Sequence, residues 1–457
     1  MVLTKRIIAV SVLSSLITSN SYAAGFAIAE NSASGMGSAF AGAAAIAEDA
    51  STTYFNPAGL SKLKGKQYIF AGHYVAPSSS FSNNGSKLNP ALVALEGLGS
   101  TINGESDDGS VGAFIPNFYY ARELNDKWSF GFGITVPFGQ STEYSSNSIA
   151  RYHATKSEVV TLNINPSASY KVSDKLSVGF GVNVQYIEAT LANQLDSTAI
   201  CLGAGGNVSC LDNSNGLTTV GDVTTDSSVS LNADDWSLGW NVGLLYDISN
   251  ETRLGLAYRS NINHGLSGTA DFTRSTELNN FLGANPAFTD TGITTGINLP
   301  ETLSLSMTHA VNPKWSVLAD VTWTKWSRFD KLVIDFANPA QDTSTTPENW
   351  ENSLRYSVGV NYKADSKWIY RAGLALDETP IPTAEDRTPR LADTDRTWLS
   401  FGFGYNVSDS FGIDVGYSHL FFADSAINNT VPVLGHTITG SYDISVDIFS
   451  AQFNWNF

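Results

Sequence analysis

Two cysteines, Cys201 and Cys210, are the only thiols in 457 residues, and they stand nine apart in a stretch rich in Gly, Asn and Ser. In an exported chain that spacing reads as one local disulfide clipping a loop. A metal pair would want a histidine beside them, and none is there. The six histidines, His73, His153, His264, His309, His419 and His436, are scattered singly. There is no Gly-x-Ser-x-Gly elbow, no phosphate-binding loop and no His-rich metal spacing. Enzyme chemistry, cofactors and metals are therefore not expected. Three other features ask for an explanation. Pro137-Phe138-Gly139 lies inside an otherwise strand-like run, where proline cannot donate to a ladder and glycine permits bulge angles. Pro116 and Pro166 lie in the flanking runs. Phe281-Leu282 and Phe288 place apolar rings and chains in a polar connection with no evident burial role.

The elements that carry these residues alternate with period two from residue 67 onward. Lys127 to Ile134, Leu176 to Val184 and Trp398 to Tyr405 set large apolar residues against Gly, Ser and Asn. Such alternation gives a sheet two unlike faces. Six connections are tight and polar: Asn125-Asp126, Ser173-Asp174, Ser249-Asn250, Asn312-Pro313, Ala364-Asp365 and Ser408-Asp409. Asn and Asp tolerate turn angles and bond their own backbone. Seven others are long, at roughly 78–110, 146–155, 193–226, 272–297, 337–349, 379–394 and 428–440. Short and long alternate throughout, which predicts an all-β chain: a fourteen-stranded antiparallel transmembrane β-barrel over 67–457 with short periplasmic turns and long external loops. The runs exceed the roughly 9–11 residues that cross a bilayer, so the wall should stand above the outer leaflet. The last run, Phe453-Asn454-Trp455-Asn456-Phe457, puts aromatics on the outward face, as an interfacial band requires.

Ahead of the barrel, residues 1–23 read as a signal peptide. Lys5 and Arg6 precede a short apolar run, and Ser21-Tyr22-Ala23 supplies the small-x-small cleavage pattern, which sets Ala24 as the expected mature start. Only 15% of residues are charged and the formal net charge is −17, against nucleic acid as a partner. Residues 24–66 do not alternate. They are small and poor in charge, as in Gly35-Met36-Gly37-Ser38-Ala39-Phe40, and are expected to fill the lumen as a compact plug.

Ala24-Gly25-Phe26, Ala45-Ile46-Ala47-Glu48-Asp49-Ala50 and Asn56-Pro57-Ala58 resemble the hatch of the long-chain fatty acid transporter family, which includes toluene and xylene channels. Pro116-Asn117, Leu299-Pro300-Glu301, Trp326-Ser327 with Phe329, Asp377 with Pro380 and Pro382, and Asp395-Arg396 with Trp398-Leu399-Ser400 extend the resemblance across the mature chain. It implies a passive channel in the Gram-negative outer membrane for hydrophobic compounds. Its ligand would be caught on external loops, here 193–226 and 272–297, pass to an inner pocket that Phe26 reaches, and leave sideways into lipid at an inward kink matching Pro137, Phe138 and Gly139 beside Pro116. The implied partners are that ligand, outer-membrane lipid and lipopolysaccharide, and the barrel-assembly machinery that would read the terminal Phe457; a monomer is expected. One departure stands out. Where fatty-acid members place pocket cations, this chain aligns Asn193 and Val333, with Arg328 and Lys331 nearby. The substrate class therefore stays open between acids and neutral hydrocarbons. A general diffusion porin and a loop-borne adhesin or phage receptor are the rival readings.

Overall fold

The computed structural model describes residues 25–96, 101–205, 219–432 and 434–457. The expected signal segment, Ala24 and Cys210 lie outside the described residues. Those described build fourteen wall strands. These are β1 Lys66–Asn83, β2 Ala113–Glu123, β3 Trp128–Thr135 continued as Gly139–Glu143, β4 Lys156–Lys171, β5 Leu176–Leu195 and β6 Ser227–Asp247. β7 is Thr252–Arg259 with Ile262–Thr273, β8 is Thr291–Leu299 with Thr302–Ala310, and β9 is Trp315–Thr324 with Lys331–Phe336. β10 is Ser344–Pro347 with Ser353–Lys363, and β11 is Trp368–Asp377. β12 is Arg396–Ser408, β13 is Phe411–Phe422 with Ser425–Thr430, and β14 is Thr437–Asn456.

Every ladder between neighbours is antiparallel, and β1 closes the cylinder against β14 from Gln67↔Asn456 to Asn83↔Gly440. Closure removes the free edges that lipid could not satisfy. The alternation does what it must in a bilayer. Phe70, Phe114, Phe180, Leu238 and Phe401 point outward and are half or more exposed, while Ser167, Asn183, Ser400 and Ser418 point inward and are buried. Tyr68 packs against Tyr120 and Phe457, and Phe70 against Trp455, forming part of an aromatic girdle at the short-turn end. The six tight turns fall where Asn125, Ser173, Ser249, Asn312, Asp365 and Asp409 stand. Most external loops are shorter than expected from sequence, whereas the second and sixth, 144–155 and 378–395, are slightly longer. The third and fourth are reduced to 196–226 and 274–290 because their strands run on above the bilayer. The outer pieces of β9 and β10 form a hairpin of their own, with Lys331 opposite Pro347, beyond the ten-residue span of Trp315–Thr324.

Residues 25–65 sit inside the cylinder. They form three single-turn helices, α1 Ala33–Met36, α2 Ala43–Ile46 and α3 Thr52–Phe55, and a 3₁₀ turn Pro57–Lys62. The segment touches opposite sides of the wall at once: α1 meets β12, β13 and β14, α2 meets β7 and β8, and the 3₁₀ turn meets β4, β5 and β6. Asn56 organises the centre. Its amide donates to Ala44 O (2.6 Å) and Leu244 O (3.0 Å), and its Oδ1 accepts from Ala58 N. Two wall glycines make room for this approach. A Cβ on Gly243 would lie 1.8 Å from Asn56 Oδ1, and one on Gly179 would lie 2.2 Å from Ala58 N.

Candidate functional site

The kink comes from a ladder that stops. β2 and β3 pair only from Glu123↔Ser129 to Phe118↔Ile134. Beyond Thr135 the chain turns through Val136-Pro137-Phe138, and Gly139–Glu143 pairs with β4 alone. The strands meet again above, where Ser110 bridges Thr142 and Glu143 N donates to Gly109 O (3.0 Å). Between these points the wall has a window, flanked by Ala113–Asn117 on one side and Gly139–Thr142 on the other.

Backbone groups left without β2 must bond elsewhere. They bond to the lumenal segment. Ala27 forms an antiparallel bridge with Phe138; Ile28 N donates to Pro137 O (2.9 Å) and Gly139 N to Phe26 O (3.0 Å). Thr161 on β4 holds the other side, accepting from Phe138 N and donating to Phe138 O (2.6 Å). Residues 26–28 are thus a short strap across the inner face of the window. Pro166, expected at the same spot, instead interrupts the β4–β5 ladder: its β3 neighbour is Phe132, below the window, and the register toward β5 passes from Ile164 to Ser167. Breaks are also not confined to the third strand, since β7, β8, β9, β10 and β13 are divided. The outer pieces Ser344–Pro347 and Ser425–Thr430 also pair on one side only. Among the described residues the third strand is set apart by the backbone bonds it makes to residues 26–28 at its break.

Above the strap lies a cavity of about 780 Å³ lined by Phe26, Leu191, Ile293, Phe329, Leu332 and Trp350, among others. Phe26 is its hub, edge-on to Trp326 at 4.9 Å and to Phe329 at 5.8 Å. The cavity shares Phe26, Gln140, Val159 and Leu391 with a larger space of about 1610 Å³ that includes Phe114 and Val160 on the lipid side of the window. Among the described residues one cation faces the apolar cavity. It is Arg390, from the long loop between β11 and β12. Its Nη1 donates to Lys156 O (3.0 Å) and Ser157 Oγ (2.9 Å), and Nη2 to Asn193 Oδ1 (3.4 Å). Gln140 and Thr142 fix the loop by donating to Arg390 O. Among the described residues no carboxylate pairs with Arg390, which leaves Nε–H and one Nη2–H unused. Burial lowers its pKa to about 10, opposed only by Glu348. Glu348, in the bend after the outer hairpin, is pushed up to about 8 by burial, with Arg390 pulling the other way.

An apolar chamber inside a closed barrel, beside a gap in the pairing of two wall strands, fits a channel for apolar molecules, and the sequence agrees with it. Residues 14–457 match the family described as "Outer membrane protein transport protein (OMPP1/FadL/TodX)". The chain belongs to that family. It is 30% identical over 91% of each chain to a long-chain fatty acid transport protein of Escherichia coli O6:H1. It is 32% identical to outer membrane protein P1 of Haemophilus influenzae, over 87% of this chain and 86% of that one. Its fold matches a Pseudomonas aeruginosa FadL homologue, with TM-score 0.83 and 24% identity over 95% of this chain and all of that one. As a member of this family it is an outer-membrane channel for hydrophobic compounds, not an enzyme.

The residues singled out in the sequence divide accordingly. Phe26, Phe138 and Gly139 come together with Pro137 at the strap, and Pro116 borders the window. Asn56, Pro57 and Ala58 anchor the lumenal segment. Arg328 is away from the cavity, its Nη2 on Glu301 Oε1 at 2.8 Å and its Nε on Oε2; Lys331 is exposed. Phe281 packs under the external cap with the loop residues Leu88, Val93 and Leu202, Leu282 is half-buried at the end of its short helix, and Phe288 is edge-on to Phe272 at 5.9 Å. These three do not converge on the cavity. Cys201 is buried in the same cap, in a helix spanning Ser197–Gly205. Arg390 was missed because nothing in a proline-rich loop announces that its cation folds back into the barrel.

Proposed function

We propose that the chain carries out passive uptake of hydrophobic compounds by lateral exit. Ligand enters from the external loops, settles in the apolar cavity against Phe26, and leaves through the window between β2 and β3 when the strap 26–28 lets go of Pro137 and Gly139. The lumenal segment then acts as a hatch. The observation that carries this reading is that the cavity adjoins the space reaching the lipid side of the wall, the two sharing Phe26, Gln140, Val159 and Leu391 as lining residues. No energy source is needed, because an apolar molecule moves down its transfer gradient from a cavity into lipid. A general porin is a poorer match, since the lumen is filled by residues 25–65.

Arg390 favours acids among the possible cargoes. An ionised group buried without a partner costs several kcal/mol, and a carboxylate headgroup would supply that partner through Nε–H and Nη2–H, the edge that binds carboxylates bidentately. Several relatives are named for long-chain fatty acid transport. The test is uptake of labelled oleate by cells whose only channel is this one, with Pro137→Leu and Gly139→Val combined to restore a continuous third strand. Uptake should fall to the channel-free level while folded barrel persists in the membrane; undiminished uptake would count against lateral exit.

A further inference from the structure

Below the strap is a second chamber, of about 1030 Å³, that shares no lining residue with the apolar cavity. It does share Ala27, Ile28 and Arg396 with the space at the window, so the two adjoin there. Its floor is apolar, made by Phe40, Ala43, Phe55 and Pro57 of the lumenal segment, while its wall carries hydroxyls and three arginines, Arg259, Arg355 and Arg396.

The bookkeeping of these charges is uneven. Among the described residues four arginines tie the lumenal segment to the wall, and three of them bring a carboxylate with them. Arg371 holds Glu48 (2.5 Å) and Asp414 (2.7 Å). Arg253 donates to Ile46 O and pairs with Asp247 at 2.7 Å. Arg355 donates to Ala39 O and lies 3.7 Å from Asp377. Arg259 is the exception. Its Nη2 donates to Tyr54 O (2.9 Å), its Nη1 to Asn183 Oδ1, and its guanidinium lies 4.4 Å from the centre of the Tyr54 ring. All three partners are neutral. The acids on the chamber are engaged elsewhere: Asp377 by Arg396 (3.1 Å) and Trp398 Nε1 (2.9 Å), Asp320 by the Ser306 and Thr322 hydroxyls. A tie between two neutral groups needs only an amide. A guanidinium placed there, out of bulk water and with donors to spare, is matched to an anion that comes and goes.

We propose that this chamber is a second seat for an amphiphilic carboxylate, with Arg259 as its headgroup partner and the Phe40–Phe55 floor as its apolar contact. The seat rests on the reading of the upper cavity as the entry site for acidic cargo. It gives the channel two places for a headgroup, Arg390 before the strap and Arg259 beyond it, so that a tail can leave through the window while its carboxylate stays paired.

Crystals of the full chain soaked with 2-bromohexadecanoate test this, because bromine beside the carboxylate marks the head. Two anomalous peaks are expected, one at Arg390 and one at Arg259. In Arg259→Gln the lower peak should vanish and the upper remain, and bound acid per folded barrel should fall from two to one. A peak at Arg390 alone in the unmodified protein would overturn the second seat and leave the proposed function standing. A lower peak that survives Arg259→Gln would overturn the role of Arg259. No peak in either place would remove the acid-uptake reading itself and the seat with it.

Discussion

At the scale of single residues, Arg390 and Glu348 decide what the upper cavity accepts. A hydrogen bond to a charged group is worth about 1.5–3 kcal/mol, and each 1.4 kcal/mol is about tenfold in affinity. Arg390→Gln should therefore weaken oleate binding by roughly 10- to 100-fold and leave a neutral alkane unaffected; equal loss for both would mean that Arg390 only holds the loop. Glu348 adds a pH dependence. The charged groups facing it are Arg390 and Asp386, and burial raises its pKa from 4.5 to about 8. Its folded-state pKa lies above the unfolded value, so the proton is retained through neutral pH and lost as pH rises through about 8. The new carboxylate then competes with the ligand for Arg390. Oleate affinity should fall between pH 7 and 9, and Glu348→Gln should flatten that limb; a limb unchanged in the variant would assign it to another group.

At the scale of elements, the third strand and the strap form one unit. Pro137 and Gly139 were legible in the sequence, because proline inside an alternating run is a ladder fault wherever it falls. What filled the fault was not legible. Ala27 bridges Phe138, 111 positions away in the chain (138 − 27), and nothing in Phe26-Ala27-Ile28 marks them as a fragment of strand. The wall glycines carry a similar lesson. They read as the small face of a sheet, which they are, but their arrangement is also the footprint of the lumenal segment, with Gly243 under Asn56 and Gly179 under Ala58. Valine at either position must displace the Asn56-Pro57-Ala58 anchor. Overpacking of this kind costs about 1–3 kcal/mol, so the unfolding midpoint in detergent should drop and residues 25–62 should become sensitive to protease. An unshifted midpoint with full protection would show that the segment tolerates looser seating.

At the scale of the molecule, the cylinder was the most readable part. Alternation and Asn/Asp turns are local signals, and each wall strand carries its own copy, so errors at one connection do not propagate. The loops were the least readable: Phe281 and Phe288 are apolar in sequence, but their partners are set by how distant loops fold over one another. A cylinder filled by residues 25–65 should show no steady ion conductance in a planar bilayer, and deleting 25–62 should open it to the nanosiemens range; a large resting conductance in the intact chain would favour a porin. The central claim, that the strap controls sideways exit, is tested most directly by locking it. Ala27 and Phe138 are directly opposed, within reach of a disulfide when both are replaced by cysteine. With Cys201 and Cys210 changed to serine, Ala27→Cys with Phe138→Cys should block oleate uptake when oxidised and restore it when reduced. Full uptake by the oxidised, cross-linked barrel would contradict that claim.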